Sequence, residues 1–287
     1  MQIMKTSVRK LLGTLPTRGR IAELWHRHLI RTPWVFEDRY GLRYLLGPDD
    51  QVAWYYDHGT VIDDEMQLAY LERTVKPGMV VLDVGANIGG VALLSATLLR
   101  GRGRLMAFEP EPTTFRSLQT NFALNGLGVS HELVNCAVAA ENGELSLSVF
   151  PRMQAGWNTL GDFQLNGIRP VRRVTVSGCT LDSVALERHV DHIDLLKIDV
   201  EGAEPDVLAG ARQLLNAHSV DRILFEISQV PLAGMHHSVE EVLAPLSVAG
   251  YTVFALTPEG RVRNVTAGEI ESTNFGNFVA CSPGTTE

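Results

Sequence analysis

The sequence predicts an α/β protein that is built on a mostly parallel sheet. Short apolar runs at residues 80–82 and 193–198 are typical of strands that are buried on both faces of such a sheet. Segments of helical periodicity separate these runs, which is the alternation expected of a sheet layered with helices. The chain has 287 residues, of which 45% are apolar, so it can bury one large core.

The chain is predicted to begin with an extension, residues 1–60, that precedes a main domain at 61–287. Cationic and apolar side chains are mixed in residues 1–30, which favours one or two amphipathic helices broken near Pro16. We expect these helices to cap the domain or to join subunits in a homo-oligomer, and a membrane-surface helix is the alternative. Aromatic residues and turn signals in residues 34–57 predict a short antiparallel β segment.

The first apolar strand of the main domain leads into a glycine-rich turn. Asp83 ends the strand, and Gly85 and Gly89 bracket a tight turn that opens onto a helix. The next strand, residues 104–108, is followed directly by Glu109. Such glycines let the backbone approach a ligand, and an acid at the tip of the next strand can accept both hydroxyls of a ribose. The pattern therefore predicts a nucleotide-type ligand.

The residues of the turn also narrow the choice of nucleotide. Asn87 stands where a dinucleotide-binding turn needs a second glycine, because the pyrophosphate must press against bare backbone there. An NAD-dependent oxidoreductase is therefore the disfavoured alternative. Asp83 at the opening of the turn fits a ligand that carries an ammonium group. S-adenosylmethionine has an ammonium, a ribose and no phosphate, and it is the expected cofactor.

The second half of the chain continues the alternation of strands and helices. Strands are predicted at 145–150 and 171–176, on either side of a long loop at 151–170. Long loops in compact domains are often functional. Residues 203–217 are predicted to form one helix. The last two strands are predicted to pair in antiparallel fashion: 252–256 and 275–281.

Composition disfavours some partners and locations. The net charge of −8 gives no electrostatic reason to bind nucleic acid, which needs a basic face. Cys136, Cys179 and Cys281 lie far apart with no CxxC spacing, so we expect neither a disulfide framework nor a zinc site, and hence a reducing, cytoplasmic setting. No apolar run is long enough to span a membrane, and no signal peptide is recognised.

Three stretches together resemble the FkbM family of S-adenosylmethionine-dependent methyltransferases. They are LDVGANIGG followed by FEPEP, TLDS at residues 180–183, and LLKIDVEGAEPDVLAGA at residues 195–211. The resemblance covers residues 60–281. It implies a class I methyltransferase fold, which is Rossmann-like: a seven-stranded, mostly parallel sheet with helices on both faces and an antiparallel last strand. It also implies O-methylation of a hydroxyl on a small molecule such as a secondary metabolite or a sugar.

The resemblance and the loop pattern together assign the cofactor site. Residues of the glycine turn would hold the methionine end of the cofactor: Asp83, Gly85, Ala86, Asn87 and Gly89. Glu109 would bind the ribose. Residues at the end of the following strand would lie against the adenine: Asn135, Cys136 and Ala137.

The reaction itself is assigned to the strand tips that follow. Asp199 stands at the carboxyl end of the fourth parallel strand, where open α/β sheets bind their ligands, and it should face the site of methyl transfer. Lys197 lies two residues before Asp199 on the strand, so both side chains face the same side, and the lysine supports Asp199 by its charge. Glu226 ends the adjacent strand. Asp199 or Glu226 could remove the proton of an alcohol acceptor. Residues of the long loop could line the acceptor pocket: Trp157, Asn158 and Thr159.

Other activities remain compatible with these residues. Methyl transfer to nitrogen needs the same geometry as transfer to oxygen, so N-methylation of a small molecule is the alternative. Methyl transfer does not need a metal, and we expect none, although Asp199 and Glu226 could hold magnesium. A non-catalytic interaction protein with the same fold is disfavoured because the glycine turn, Glu109 and the KIDVEGAE stretch are all present.

Overall fold

The computed structural model describes residues 33–47, 55, 58–62, 64–164 and 167–285. The helices predicted in residues 1–30 lie outside these described residues. The chain divides into two compact units, residues 1–63 and 64–287. Within the described residues, no helix has both the length and the apolar character needed to cross a membrane.

The first unit contains a small β hairpin. Strands β1 (Trp34–Glu37) and β2 (Arg43–Leu46) pair in antiparallel fashion. The Asp38 carboxylate accepts hydrogen bonds from the backbone N–H groups of Tyr40 and Leu42 at 2.8 and 2.9 Å, which closes the turn. The predicted antiparallel segment is therefore confirmed.

The second unit alternates strands and helices along the chain. Its strands are β3 (Val80–Val84), β4 (Arg104–Phe108), β5 (Ser130–Val134), β6 (Ala137–Val138), β7 (Gly143–Val149), β8 (Arg172–Cys179), β9 (Ile193–Ile198), β10 (Val220–Ser228), β11 (Thr252–Leu256), β12 (Val262–Asn264) and β13 (Phe275–Cys281). Its helices are α1 (Glu65–Thr74), α2 (Gly90–Leu98), α3 (Pro112–Asn125), α4 (Leu181–Glu187), α5 (Glu204–Ala209), α6 (Arg212–Asn216), α7 (Gln229–Gly234), α8 (Val239–Val248) and α9 (Ala267–Glu271).

The main sheet has the strand order β12-β11-β13-β10-β9-β3-β4-β5. Strands β5, β4, β3, β9 and β10 are mutually parallel, and β13 runs antiparallel to both β10 and β11. The predicted parallel sheet and its antiparallel last pair are confirmed. The sheet has eight strands where the resemblance implied seven, because the short β12 adds to the edge beyond β11.

Helices cover both faces of this sheet. Alternate apolar residues of the strands, such as Leu82, Leu196 and Phe225, pack with helices α4, α5, α6 and α8 in one large cluster. Helices α1 and α2 lie on the opposite face, where the Asp64 carboxylate at the start of α1 accepts a hydrogen bond from Asn277. The face under α1 and α2 carries the polar residues of the site.

A second, three-stranded sheet has the order β6-β8-β7. It contains the strands predicted at 145–150 and 171–176, which therefore leave the main sheet. Between them, Arg152–Trp157 form a 3₁₀ helix within the predicted long loop. Residues 165 and 166 of that loop lie outside the described residues.

The helix predicted at residues 203–217 is broken into α5 and α6. The break falls at Gly210, where an added Cβ would lie 2.1 Å from the carbonyl oxygen of Ala139. Close packing against the end of β6 therefore requires glycine at this position, although its backbone angles are ordinary helical ones. A periodicity that reads as one helix does not reveal such a tertiary contact.

The expectation of no disulfide is wrong. Cys136 is bonded to Cys179, with the Cα atoms 6.4 Å apart, while Cys281 is free and buried. The parallel pairing of β6 with β8 brings together two cysteines that are 43 residues apart in sequence. Sequence spacing gives no sign of that pairing. The cysteines consequently no longer support a reducing compartment.

Replacing Gly210 by Ala is expected to lower the free energy of unfolding by about 1–3 kcal/mol, because the added methyl group overpacks the contact with Ala139. Urea denaturation measures the change. Gly128→Ala is the matched control, since a Cβ there would meet nothing within 4 Å. Equal stability of the two variants would contradict this account of the helix break.

Candidate functional site

The glycine turn lies at the carboxyl ends of β3, β4 and β9. The backbone N–H groups of Gly85 and Ala86 donate to the carbonyl oxygen of Phe108 at 3.0 and 2.9 Å. Gly85 has a φ of +82°, and a Cβ there would lie 1.8 Å from the carbonyl oxygen of Asp199. Gly85 is therefore required by the close contact between the ends of β3 and β9, whether or not a ligand is bound.

The second glycine of the turn starts a helix. Gly89 caps α2 with a φ of +99°, and a Cβ there would lie 2.7 Å from the Leu118 side chain of α3. Asn87 between the two glycines also has a positive φ, of 50°. Asparagine tolerates this conformation better than most residues do, so the turn is compatible with the absence of a middle glycine.

Glu109 is held at the tip of β4 by two backbone bonds. Its carboxylate accepts from the N–H of Asn87 at 3.0 Å and from the N–H of Glu111 at 2.9 Å. The side chain is buried, and burial raises the pKa of Glu109 to about 7 despite these bonds. Asn135 donates to the carbonyl oxygens of Glu109 and Pro110 at 2.8 and 2.9 Å, so it braces this tip.

A narrow pocket of about 50 Å³ lies beside these strand tips. Its wall is formed by Val84, Gly85, Asn87, Phe108, Glu109, Pro110, Cys136, Ala137, Val138, Leu147, Ala155, Gly156, Asn158, Thr159, Leu160, Asp199, Val200 and Ala203. Two of these described lining residues are carboxylates, Glu109 and Asp199, and none is a lysine or an arginine. The wall therefore favours a cationic ligand over an anionic one.

A buried lysine connects the turn to the tip of β9. Lys197 lies 3.0 Å from a carboxylate oxygen of Asp199 and 3.4 Å from one of Asp83. Burial alone would lower the pKa of Lys197, but the two carboxylates outweigh it and hold the pKa above its usual range. Burial raises the pKa of Asp83, Lys197 offsets only part of this effect, and repulsion by Asp199 adds to it. Asp83 itself is fully buried.

Polar side chains also lie on the next two strands of the sheet, β10 and β13. Glu226 of β10 stands opposite Asn277 of β13, so their side chains share one face of the sheet. Asn277 donates to the Asp64 carboxylate, which also caps α1. Burial, together with repulsion by Asp199 and Glu201, raises the pKa of Glu226 to about 10. Glu226 is therefore protonated at neutral pH.

The structure sorts the candidate residues into two groups. The first group lines the pocket: Gly85, Asn87, Glu109, Cys136, Ala137 and Asp199. The second group lies behind that wall or beside it: Asp83, Ala86, Gly89, Asn135, Lys197 and Glu226. Sequence reasoning missed Asn277, because only the register of β10 with β13 places it opposite Glu226.

Replacing Glu226 by Gln is expected to stabilise the protein by roughly 1–3 kcal/mol at about pH 8. The folded pKa of Glu226, about 10, lies above the ordinary value of 4.5, so folding takes up a proton and stability falls as pH rises between these values. Glutamine needs no proton. Urea denaturation at about pH 5 and about pH 8 should show a much larger gain at the higher pH. The control is Glu187→Gln, an exposed acid of α4, and an equal gain at both pH values would contradict the argument.

Comparison with known proteins identifies the family. The family profile described as "Methyltransferase FkbM domain" matches residues 83–253, which is more than half of the chain. The 31-O-demethyl-FK506 methyltransferase FkbM of Streptomyces tacrolimicus is 32% identical over 212 residues, covering 65% of this chain and 78% of that protein. The 2-O-methyltransferase NoeI of Sinorhizobium fredii is 30% identical, covering 49% of this chain and 60% of that protein.

Two further similarities complete the comparison. The hexuronic acid methyltransferase AglP of Haloferax volcanii is 30% identical, and the match covers 52% of this chain and 55% of that protein. The alignments thus span little more than half the length of NoeI and AglP. The solved structure of methyltransferase FkbM from Methylobacillus flagellatus has a TM-score of 0.45 and 14% identity, covering 71% of this chain and 43% of that one. On the strength of the family match, the chain belongs to the FkbM family and is a methyltransferase.

Proposed function

We propose that this methyltransferase takes its methyl group from S-adenosylmethionine and transfers it to a hydroxyl oxygen of a small molecule. The charge of the pocket wall carries the proposal. Glu109 and Asp199 face the pocket, and no lysine or arginine is among its described lining residues. This wall suits a ligand with a sulfonium and an ammonium group, and it opposes the pyrophosphate of a dinucleotide.

The residues present fit the parts of this cofactor. Glu109 is fixed by two backbone N–H groups and keeps lone pairs for the two ribose hydroxyls. Cys136 and Ala137 lie on an apolar part of the wall, which suits the adenine. The backbone of the turn and Asp199 would hold the amino-acid end. When bound, the cofactor supplies a methyl group on a sulfonium that is already activated.

The reaction is an in-line displacement, so the protein must mainly align the acceptor oxygen and exclude water. Lys197 fixes the Asp199 carboxylate at 3.0 Å beside the pocket, where it would face the amino-acid end of the cofactor. Glu226 is protonated at neutral pH, so it would donate a hydrogen bond rather than remove a proton. No residue is assigned to a metal, and loss of activity on chelation, restored by magnesium, would overturn that assignment.

The names of relatives support oxygen as the acceptor atom. One relative is a 31-O-demethyl-FK506 methyltransferase, and another is a 2-O-methyltransferase. A hydroxylated secondary metabolite or sugar is thus the proposed acceptor, without nucleic acid as a partner. The net charge of −8 supports the last point. Fragmentation of the methylated product in a mass spectrometer would separate O-methylation from N-methylation.

Calorimetric titration tests the cofactor. The native protein should bind S-adenosylmethionine and not NAD. Glu109→Ala should weaken S-adenosylmethionine binding about tenfold or more, because the ribose loses a charged hydrogen-bond partner. Glu144→Ala, which removes an exposed acid of β7, is the control and should bind normally. Unchanged affinity of a folded Glu109→Ala variant would refute the ribose assignment.

The affinity for S-adenosylmethionine should rise with pH up to about 7 and then level off. Glu109 has a pKa of about 7 in the free protein, and its ionised form accepts hydrogen bonds from the ribose hydroxyls more strongly than its neutral form does. The rise is at most about tenfold per pH unit. Titrations of Glu109→Gln should lose most of this dependence. A steep dependence retained in that variant would contradict the role of Glu109.

A further inference from the structure

The outer wall of the pocket is a short segment, residues 152–160, that we call the lid segment. Its end is tied to the domain in three ways. Thr159 pairs with Ser148 through two backbone hydrogen bonds of 2.8 and 3.2 Å. The Ser148 hydroxyl donates to the carbonyl oxygen of Gly161 at 2.7 Å, and the Thr159 hydroxyl donates to that of Glu201, also at 2.7 Å. The lid segment is therefore held close to the turn that follows β9.

Asn158 in the lid segment presents an unused hydrogen-bond donor. Its side-chain oxygen accepts from the N–H of Phe150 at 2.9 Å, which fixes the orientation of the amide group. The Nδ2 atom is then buried and has no partner among the described residues, although Asn158 lines the pocket. Buried amide groups are almost always hydrogen-bonded, so this donor is available to a ligand that enters the pocket.

The charges of the wall show which part of a ligand needs this donor. The amino-acid end of the proposed cofactor carries an ammonium, which a carboxylate such as Asp199 can receive, and a carboxylate, which needs N–H donors. Among the described lining residues, the side-chain N–H groups belong to Asn87 and Asn158. The Nδ2 atom of Asn87 lies next to the lid segment. A Cβ added to Gly156 of that segment would be 3.6 Å from it.

Asn158 lies at the end of the pocket where the amino-acid end of the cofactor is placed. Its neighbour Thr159 bonds to Glu201, close to Asp199, where the amino-acid end is placed. The adenine end is covered instead by Leu160, which packs against the small apolar cluster that includes Ala137. We propose that Asn158 donates a hydrogen bond from Nδ2 to the carboxylate of bound S-adenosylmethionine, an inference that rests on the proposed cofactor.

The pocket is too small to admit the cofactor without a change in its wall. A volume of about 50 Å³ is far below the roughly 300–1,000 Å³ typical of small-molecule sites. The pocket must therefore widen as the cofactor enters, and we place this movement in the lid segment. Asn158 then completes its hydrogen bond when the segment settles on the ligand. The donor thus couples closure of the lid segment to recognition of the amino-acid end.

Titration of two variants with three ligands tests the inference. The variants are Asn158→Ala and Asn158→Asp, and the ligands are S-adenosylmethionine, S-adenosylhomocysteine and methylthioadenosine, which lacks the amino-acid end. At about pH 8, Asn158→Asp keeps the oxygen that Phe150 needs but loses the donor. It should bind the first two ligands about tenfold or more weakly and methylthioadenosine within about twofold of the native protein.

The control is Asn142→Ala. Asn142 also accepts a backbone N–H through its side-chain oxygen, from Thr180 at 2.9 Å, but it does not line the pocket. Native affinity of Asn158→Asp for S-adenosylmethionine would overturn the inference, and so would an equal loss for all three ligands, which would indicate a packing role. If the native protein bound none of the ligands, the proposed cofactor would fail instead. Asn158→Asp also serves if Asn158→Ala does not fold.

Discussion

The site depends on one buried cation that is shared by two carboxylates. Lys197 is almost fully buried, and it bridges Asp83 under the glycine turn and Asp199 at the pocket. A buried charge is tolerated only where it is paired, so the lysine and its partners require one another. Their contact spans the adjacent strands β3 and β9 and places Asp199 beside the turn. Loss of the lysine would leave two carboxylates without their cation in this part of the core.

Local sequence patterns predicted most of the fold, because they act over a few residues. The apolar runs, the glycine turn and the acid after β4 each identify an element, and the alternation of strands and helices gives the layered sheet. The broken helix at Gly210 and the Cys136–Cys179 bond were not predictable in this way. Both depend on contacts with residues that are distant in sequence, Ala139 for the first and the pairing of β6 with β8 for the second.

The candidate site shows the same division. Sequence parity placed Lys197 and Asp199 together, and the structure brings them within 3.0 Å. Parity does not give strand register, and register is what places Asp83 opposite Lys197 and Asn277 opposite Glu226. Asp83 was expected to face a ligand because it opens the turn, whereas the sheet buries it against the lysine. Asp83 therefore lies in the protein interior, although its position just before the turn suggested a place at the ligand.

The acid-rich strand tips also have a consequence for turnover under the proposed function. Neighbouring carboxylates such as Asp199 oppose the ionisation of Glu204 and Glu226, and together with burial they raise the pKa of both acids in the free protein. A sulfonium that enters this field is attracted, and it favours the ionised acids. Methyl transfer converts the sulfonium to a neutral thioether, so that attraction ends with the reaction. The same acids that recognise the methyl donor therefore hold its product less tightly, which favours release after transfer.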